Sequence, residues 1–250
     1  MRPFSAQALF LDFDGVLCDS LEECYRSSWL ASRDGEFTEP PADPPFDSAY
    51  RRRFDACRPF VRSGEDYLIA HEWAASGRIP DGQSQFDESL KAAGTEALAT
   101  RKAALYRVRD ALLASHRPQW LSWNPLYPGI AEALRGQVNN PWVWILSTKK
   151  AEFIVEILAH QGVRWPLERT LYTGTNRKLD MIRDLHTERP SLLIDDQIDH
   201  LDFSDRWCRC YLALWGYADP ASAALAKATL TLTQACALIK AFPQHAPRGE

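Results

Sequence analysis

The chain has 250 residues, 46% of them hydrophobic and 25% charged, with a formal net charge of −4. That balance is ordinary for a folded globular protein and argues against disorder, and the mild acidity argues against a general nucleic-acid binder. No apolar run approaches the ~20 residues that a membrane helix needs, and the six cysteines contain no CxxC pair that would suggest a zinc cage or a disulfide framework.

Taken in chain order, the first element is a buried strand, Ala8 to Phe13. This apolar run is too short for a secretory signal and leads straight into acids, so a soluble, reduced, cytoplasmic protein is expected. The next strand-like run, Trp142 to Leu146, comes about 120 residues later, far more than one crossover helix requires. Most of that interval has helical character: Leu21 to Ser32, Ala49 to Phe60, Glu65 to Ser76 and an Ala-rich stretch from Gln85 to Ser115. A proline-rich loop, Glu39-Pro40-Pro41-Ala42-Asp43-Pro44-Pro45, separates the first two, since a regular helix cannot run through it. Asn124-Pro125-Leu126-Tyr127-Pro128-Gly129 reads as the return linker, and Ile130 to Arg135 as the start of the next helix. Three more apolar runs follow, Thr170 to Tyr172, Leu192 to Ile194 and Cys210 to Leu214, with helical segments between them. The last is followed by a small-residue stretch, Ala221 to Ala228, and the polar tail from Phe242 to Glu250 is expected to fray.

Strands alternating with helices imply βαβ units and a parallel sheet. The expected fold is therefore α/β, a doubly wound, Rossmann-like parallel-sheet core formed by residues 1–19 and 125–250. A helical insertion over residues 20–124 interrupts it. In such sheets polar function gathers at the carboxyl ends of the strands, and Asp12, Asp14, Ser147 and the Asp195-Asp196 pair all fall at strand ends.

Asp12 and Asp14, two apart on an extended chain, point the same way. Their mutual repulsion calls for a cation or a shared proton, while Gly15 lets the backbone turn tightly beside them. With Asp195 and Asp196 from a second strand, three or four carboxylates converge. An all-oxygen set of this kind suits Mg²⁺ rather than zinc. Ser147 could hold a phosphoryl oxygen. Lys178, one helix before Asp195, could neutralise a transferring phosphoryl group. Lys149, Lys150 and Arg177 compete with it for that role.

Asp12-Phe13-Asp14-Gly15-Val16, Ser147 after an apolar strand, Lys178 and Asp195-Asp196 together resemble, in order and spacing, the four motifs of the haloacid dehalogenase-like hydrolase superfamily. Tyr127-Pro128-Gly129-Ile130 is similar to the segment by which members with an inserted helical cap of the C1 type re-enter the core. The resemblance covers the core, and the insertion matches in position and helical character only. It implies a phosphoric monoester hydrolase with Asp12 as nucleophile, Asp14 as general acid and base, and Ser147 and Lys178 on the phosphoryl oxygens. Mg²⁺ would sit on Asp12, the backbone carbonyl of Asp14 and one carboxylate of the Asp195-Asp196 pair. Asp196 is favoured as the direct ligand and Asp195 as a partner of Lys178. Asp199 is an alternative under a longer-spaced fourth motif. The substrate implied is a small phosphorylated metabolite, with no nucleic-acid or membrane partner.

Asp14 argues against a dehalogenase, which lacks that residue, and against a phosphonate hydrolase, which typically has alanine there. A sugar phosphomutase of the same superfamily remains an alternative, as does a non-catalytic member that binds a phosphoryl group or a partner. A signalling receiver domain has its acids in the wrong order. Elsewhere, Asp19 is expected to cap the helix near Leu21. Arg51-Arg52-Arg53 should form a solvated face, and His160, His186 and His200 should lie on the surface. Arg58 and Arg62 are exposed candidates for a substrate anion, and the tryptophans between Trp29 and Trp123 should pack the insertion.

Overall fold

In the computed structural model, residues 7–33, 44, 47–185 and 190–244 are described. Strand β1 (Ala8–Leu11) is followed by six helices: α1 (Leu21–Ala31), α2 (Ser48–Cys57), α3 (Asp66–Ala75), α4 (Gln83–Ala93), α5 (Thr95–Ser115) and α6 (Arg117–Ser122). Then come α7 (Ile130–Arg135), β2 (Val143–Ser147), α8 (Ala151–His160), β3 (Thr170–Tyr172), α9 (Lys178–Leu185) and β4 (Ser191–Asp195). The chain closes with β5 (Cys208–Ala213), α10 (Pro220–Leu225), β6 (Thr229–Leu230) and α11 (Leu232–Ala241). Contacts divide it into two compact units, Met1–Asp19 with Pro125–Glu250, and Ser20–Asn124.

The first unit is built on a six-stranded sheet, counted among the described residues, in the order β3-β2-β1-β4-β5-β6 with every pair parallel. Parallel strands covered on both faces read as continuous apolar runs, and all four residues of β1 are buried. Ala8 and Phe10, alternate residues of β1, join Leu193, Cys208 and Cys210 of the neighbouring strands against Leu179 and Ile182 of α9. The strand order reverses between β1 and β4, and a crevice forms at the carboxyl ends of strands that part in this way. The registers Leu11↔Ile194 and Leu11↔Ile145 carry Asp12 level with Asp195 and bring Ser147 to the same edge of the sheet.

Chain exit and chain return lie side by side in this unit. Cys18 bridges Leu126, the Asp19 N–H donates to the Pro125 carbonyl at 2.9 Å, and the Tyr127 N–H donates to that of Leu17 at 3.0 Å. Gly129, at φ 85°, then turns the chain into α7 through a conformation that side chains with a Cβ resist.

The regular elements of the second unit, among its described residues, are all helices. Tyr25, Tyr50, Phe54, Tyr67, Ile69, Trp73 and Phe86 share its aromatic core. Its four tryptophans, Trp29, Trp73, Trp120 and Trp123, are all buried, in keeping with a packing role. Glu23 of α1 is fully buried and satisfied by a fork from Arg109 of α5, with both nitrogens 2.8 Å from its oxygens, by Ser27 at 2.6 Å and by Trp120 at 3.1 Å.

Several local expectations are corrected. The Ala-rich stretch 85–115 is two helices, because Gly94 at φ 80° breaks it. Strand β6 and helix α6 were not anticipated; β6 is two residues long, and α6 is six residues with a proline at its start. Arg51-Arg52-Arg53 is only partly solvated: Arg51 pairs with Asp55 at 2.7 Å and with Glu22, and Arg53 donates to the Ala74 carbonyl at 2.9 Å. Arg58 is buried over the Tyr67 ring, and Arg62 donates to the Pro59 carbonyl and Gln83, so neither is an exposed arginine held ready for an anion. The tail is pinned at its start, with Phe242 buried and its carbonyl accepting from Gln137. The proline-rich segment 39–45 (Pro44 aside), His186 and residues 245–250 lie outside the described residues.

Candidate active site

The ends of β1 and β4 bring their acids together. Oxygens of Asp12, Asp195 and Asp196, all buried, lie within 4.8 Å of one another. Lys178, the first residue of α9, is buried between two of them, with its Nζ 2.8 Å from Asp12 Oδ1 and 2.6 Å from Asp195 Oδ2. The Asp195 carboxylate also accepts from the Gln197 N–H at 2.9 Å and sits 3.1 Å from His200 Nδ1. Asp196 Oδ2 accepts from the Tyr217 N–H at 3.0 Å.

A second buried lysine serves the other acid of the first strand. Lys149, just past β2, reaches Asp14 Oδ1 at 3.1 Å and lies 5.7 Å above the Phe13 ring. Ser147 is buried at the end of β2, its hydroxyl accepting from the Lys149 N–H at 3.3 Å. Thus Asp12, Asp14, Ser147, Lys178, Asp195 and Asp196 fall at this edge of the sheet, and the acids Asp12, Asp195 and Asp196 form one group with Lys178. The Asp14 carboxylate stands with Lys149 instead. Asp199 is not among the grouped carboxylates.

The electrostatics follow from burial. Loss of water pushes the Asp12 carboxyl up, the Lys178 ammonium pulls it back, and the neighbouring Asp195 pushes it up again. For Asp195 burial acts in the same direction, yet Lys178 and His200 outweigh it and hold the carboxyl below its usual range. Lys178 loses hydration too, but Asp12 and Asp195 more than compensate, so its ammonium is held charged.

Four carboxylates here face two ammonium groups, a formal excess of negative charge in a buried place. The three grouped ligands are carboxylates, and an oxygen set of this kind suits a hard divalent cation such as Mg²⁺. Gly15 completes the cradle: at φ +87° it occupies backbone space that favours glycine, and a Cβ there would stand 2.2 Å from Asp196 Oδ2. The donor set therefore fits the cation that the sequence implies.

Four residues at the site were missed or misread. His200 is not a surface bystander but touches Asp195. Asp19 does not cap α1, whose N-cap is Ser20; it accepts from the Tyr217 hydroxyl at 2.8 Å. Lys149, weighed against Lys178 in the sequence, meets Asp14, whereas Lys178 meets Asp12 and Asp195. Adjacency to Ser147 was the signal for Lys149; nothing local marks His200 or Tyr217. His160, as expected, is exposed.

No family model matches the chain, and no curated protein does. Solved structures do. A haloacid dehalogenase-like family hydrolase from Streptococcus pneumoniae shares 12% identity at TM-score 0.54, over 93% of this chain and 97% of that one. A predicted phosphatase from Clostridium acetobutylicum shares 15% at TM-score 0.55, over 94% and 99%. A predicted phosphoglycolate phosphatase from Haemophilus somnus shares 15% at TM-score 0.55, over 90% and 93%. At these identities the likeness is one of fold, and it runs over nearly the whole of each chain.

Proposed function

We infer that this chain, which has the fold of the haloacid dehalogenase-like hydrolases, is a Mg²⁺-dependent phosphomonoesterase acting on a small phosphorylated metabolite. The observation that carries the reading is the Asp12 carboxylate at the end of β1. It is 2.8 Å from the Lys178 ammonium and grouped with Asp195 and Asp196.

In this reading an Asp12 oxygen attacks phosphorus, the bond from phosphorus to the ester oxygen breaks, and Asp14 gives its proton to the departing alcohol. Asp14 then takes a proton from water as that water attacks the aspartyl-phosphate, releasing phosphate and restoring Asp12. Lys178 and the Ser147 hydroxyl bind phosphoryl oxygens, where fixed donors stabilise the charge of the transition state. Asp12, Asp196 and the Asp14 carbonyl would hold the cation, which when bound would screen the phosphoryl charge from the nucleophile. The donors gathered on Asp195 favour it as the anchor of Lys178 and leave Asp196 as the direct ligand. Lys149 would keep the Asp14 carboxylate aimed once it has given up its proton and before it takes the next one from water. We read residues 20–124 as a cap that selects the leaving group.

The test is phosphate release from a panel of phosphorylated metabolites and an aryl phosphate, with and without Mg²⁺, on wild type and Asp12→Asn. Cation-dependent turnover that falls by at least about 10³-fold in Asp12→Asn is expected, as for loss of a nucleophile. Isomerised product without free phosphate would replace the phosphatase by a mutase. A folded, Mg²⁺-binding protein inert in both assays would sink catalysis altogether.

A further inference from the structure

The loop after β5, residues 214–218, has no part in the chemistry described so far, yet it is bound to the acidic crevice at four points. Trp215 Nε1 donates to the Val16 carbonyl at 3.0 Å. The Tyr217 N–H donates to Asp196 Oδ2 at 3.0 Å, and the Tyr217 hydroxyl donates to Asp19 Oδ1 at 2.8 Å. Gly216 lies so close to the turn beneath it that a Cβ would stand 2.1 Å from the Gly15 carbonyl oxygen and 2.7 Å from Asp196 Cβ. The two glycines therefore meet directly, and both lie against Asp196, since Gly15 could not gain a Cβ without striking Asp196 Oδ2 and the Tyr217 ring at 2.7 Å.

We propose that this loop is a strap that fixes the Asp196 carboxylate for cation binding, with Tyr217 as its positioning residue. The inference rests on the cation-dependent reading above. A ligating carboxylate is only as well aimed as the groups that hydrogen-bond it, and removing such a partner costs metal affinity by about 10–100-fold. Here the partner is a backbone N–H, whose placement depends on its neighbours. Gly216 lets the loop descend to the turn, Trp215 ties it to Val16, and the Tyr217 hydroxyl ties the far side to Asp19. The strap joins β5 to the β1 turn directly over β4, so one aspartate is clamped from both flanking strands.

The experiment is calorimetric titration of the full-length, cation-stripped protein with Mg²⁺, for wild type, Asp12→Asn, Gly216→Ala and Tyr217→Phe. Melting of each in chelator accompanies it. Wild type is expected to bind Mg²⁺ and Asp12→Asn to lose most of that binding. Gly216→Ala should weaken it by at least about tenfold. Tyr217→Phe keeps the N–H and loses the hydroxyl's hydrogen bonds to Asp19 and Tyr127, so it should weaken binding by about two- to tenfold with little change in the melt. If Gly216→Ala does not fold, Tyr217→Phe decides. Wild-type affinity in the folded strap variants would overturn the strap and leave the cation reading standing. A wild-type protein that binds no Mg²⁺ would overturn both.

Discussion

Lys178 is the side chain on which the acidic crevice most depends. It is buried between Asp12 and Asp195, so deleting its charge leaves two carboxylates facing each other without water. Removing one partner of such a buried set costs about 3–5 kcal/mol, mostly through the charges left behind. Lys178→Met should therefore lose stability of that order in chelator, as read by urea denaturation. Adding Asp195→Asn to it should restore part of the loss, because the two changes are coupled through one contact. Equal and additive losses would mean that the crevice relaxes enough to admit water. Lys149 and Asp14 make a separate pair at 3.1 Å, with Asp14 partly exposed, so Lys149→Met should cost less.

At the scale of elements, the helical unit holds two buried titratable groups with opposite effects. His71 of α3 is enclosed by Tyr50 at 2.8 Å, Ser28 at 2.9 Å and the Tyr25 carbonyl, and burial lowers its pKa to about 4. Between that value and the ordinary 6.5 the unfolded chain binds a proton that the folded one refuses. Stability therefore rises with pH across the interval, by up to about 3 kcal/mol. Asp66, at the start of the same helix, accepts from the Arg62 and Ser63 N–H groups at 2.8 and 3.0 Å. Burial nevertheless pushes it up to about 6, with Glu65 adding to the rise and Arg62 opposing it. From 3.8 to 6 the folded state holds the proton, so Asp66 makes stability fall as pH rises. The two slopes offset one another. Asp66→Asn should expose a urea midpoint that climbs from pH 4 to 6, and His71→Asn one that declines. Parallel curves for both variants would show that neither group titrates on unfolding.

For the molecule as a whole, a cation that binds only the folded chain must stabilise it by mass action. At a hundredfold excess over the dissociation constant the gain is about 2.7 kcal/mol. Calorimetric melting should therefore rise with Mg²⁺ in wild type and stay unchanged in Asp196→Asn. A rise of equal size in both would assign the cation to another place. No helix among the described residues is long and apolar enough to cross a membrane.

The chain's own order of residues determined the parallel α/β core and the acids that line its edge. Buried parallel strands are continuous apolar runs, and a carboxylate at the end of such a run stands out against them; both signals lie within a few neighbours. Asp12, Asp14, Ser147 and Asp195-Asp196 were legible for that reason, and Lys178 because it opens the helix before β4. Boundaries were less so: β5 begins at Cys208 rather than Cys210, and one glycine split the long Ala-rich stretch. Only the tertiary structure decided which lysine meets which acid, that His200 turns back on Asp195, and that Asp19 serves Tyr217 instead of α1. The physical reason is distance along the chain. Tyr217 and Asp19 are 198 positions apart, and nothing in the residues around either one encodes that they will meet. That contact exists because β5 lies next to β4 and β4 next to β1, so the loop that leaves β5 descends onto the turn that leaves β1.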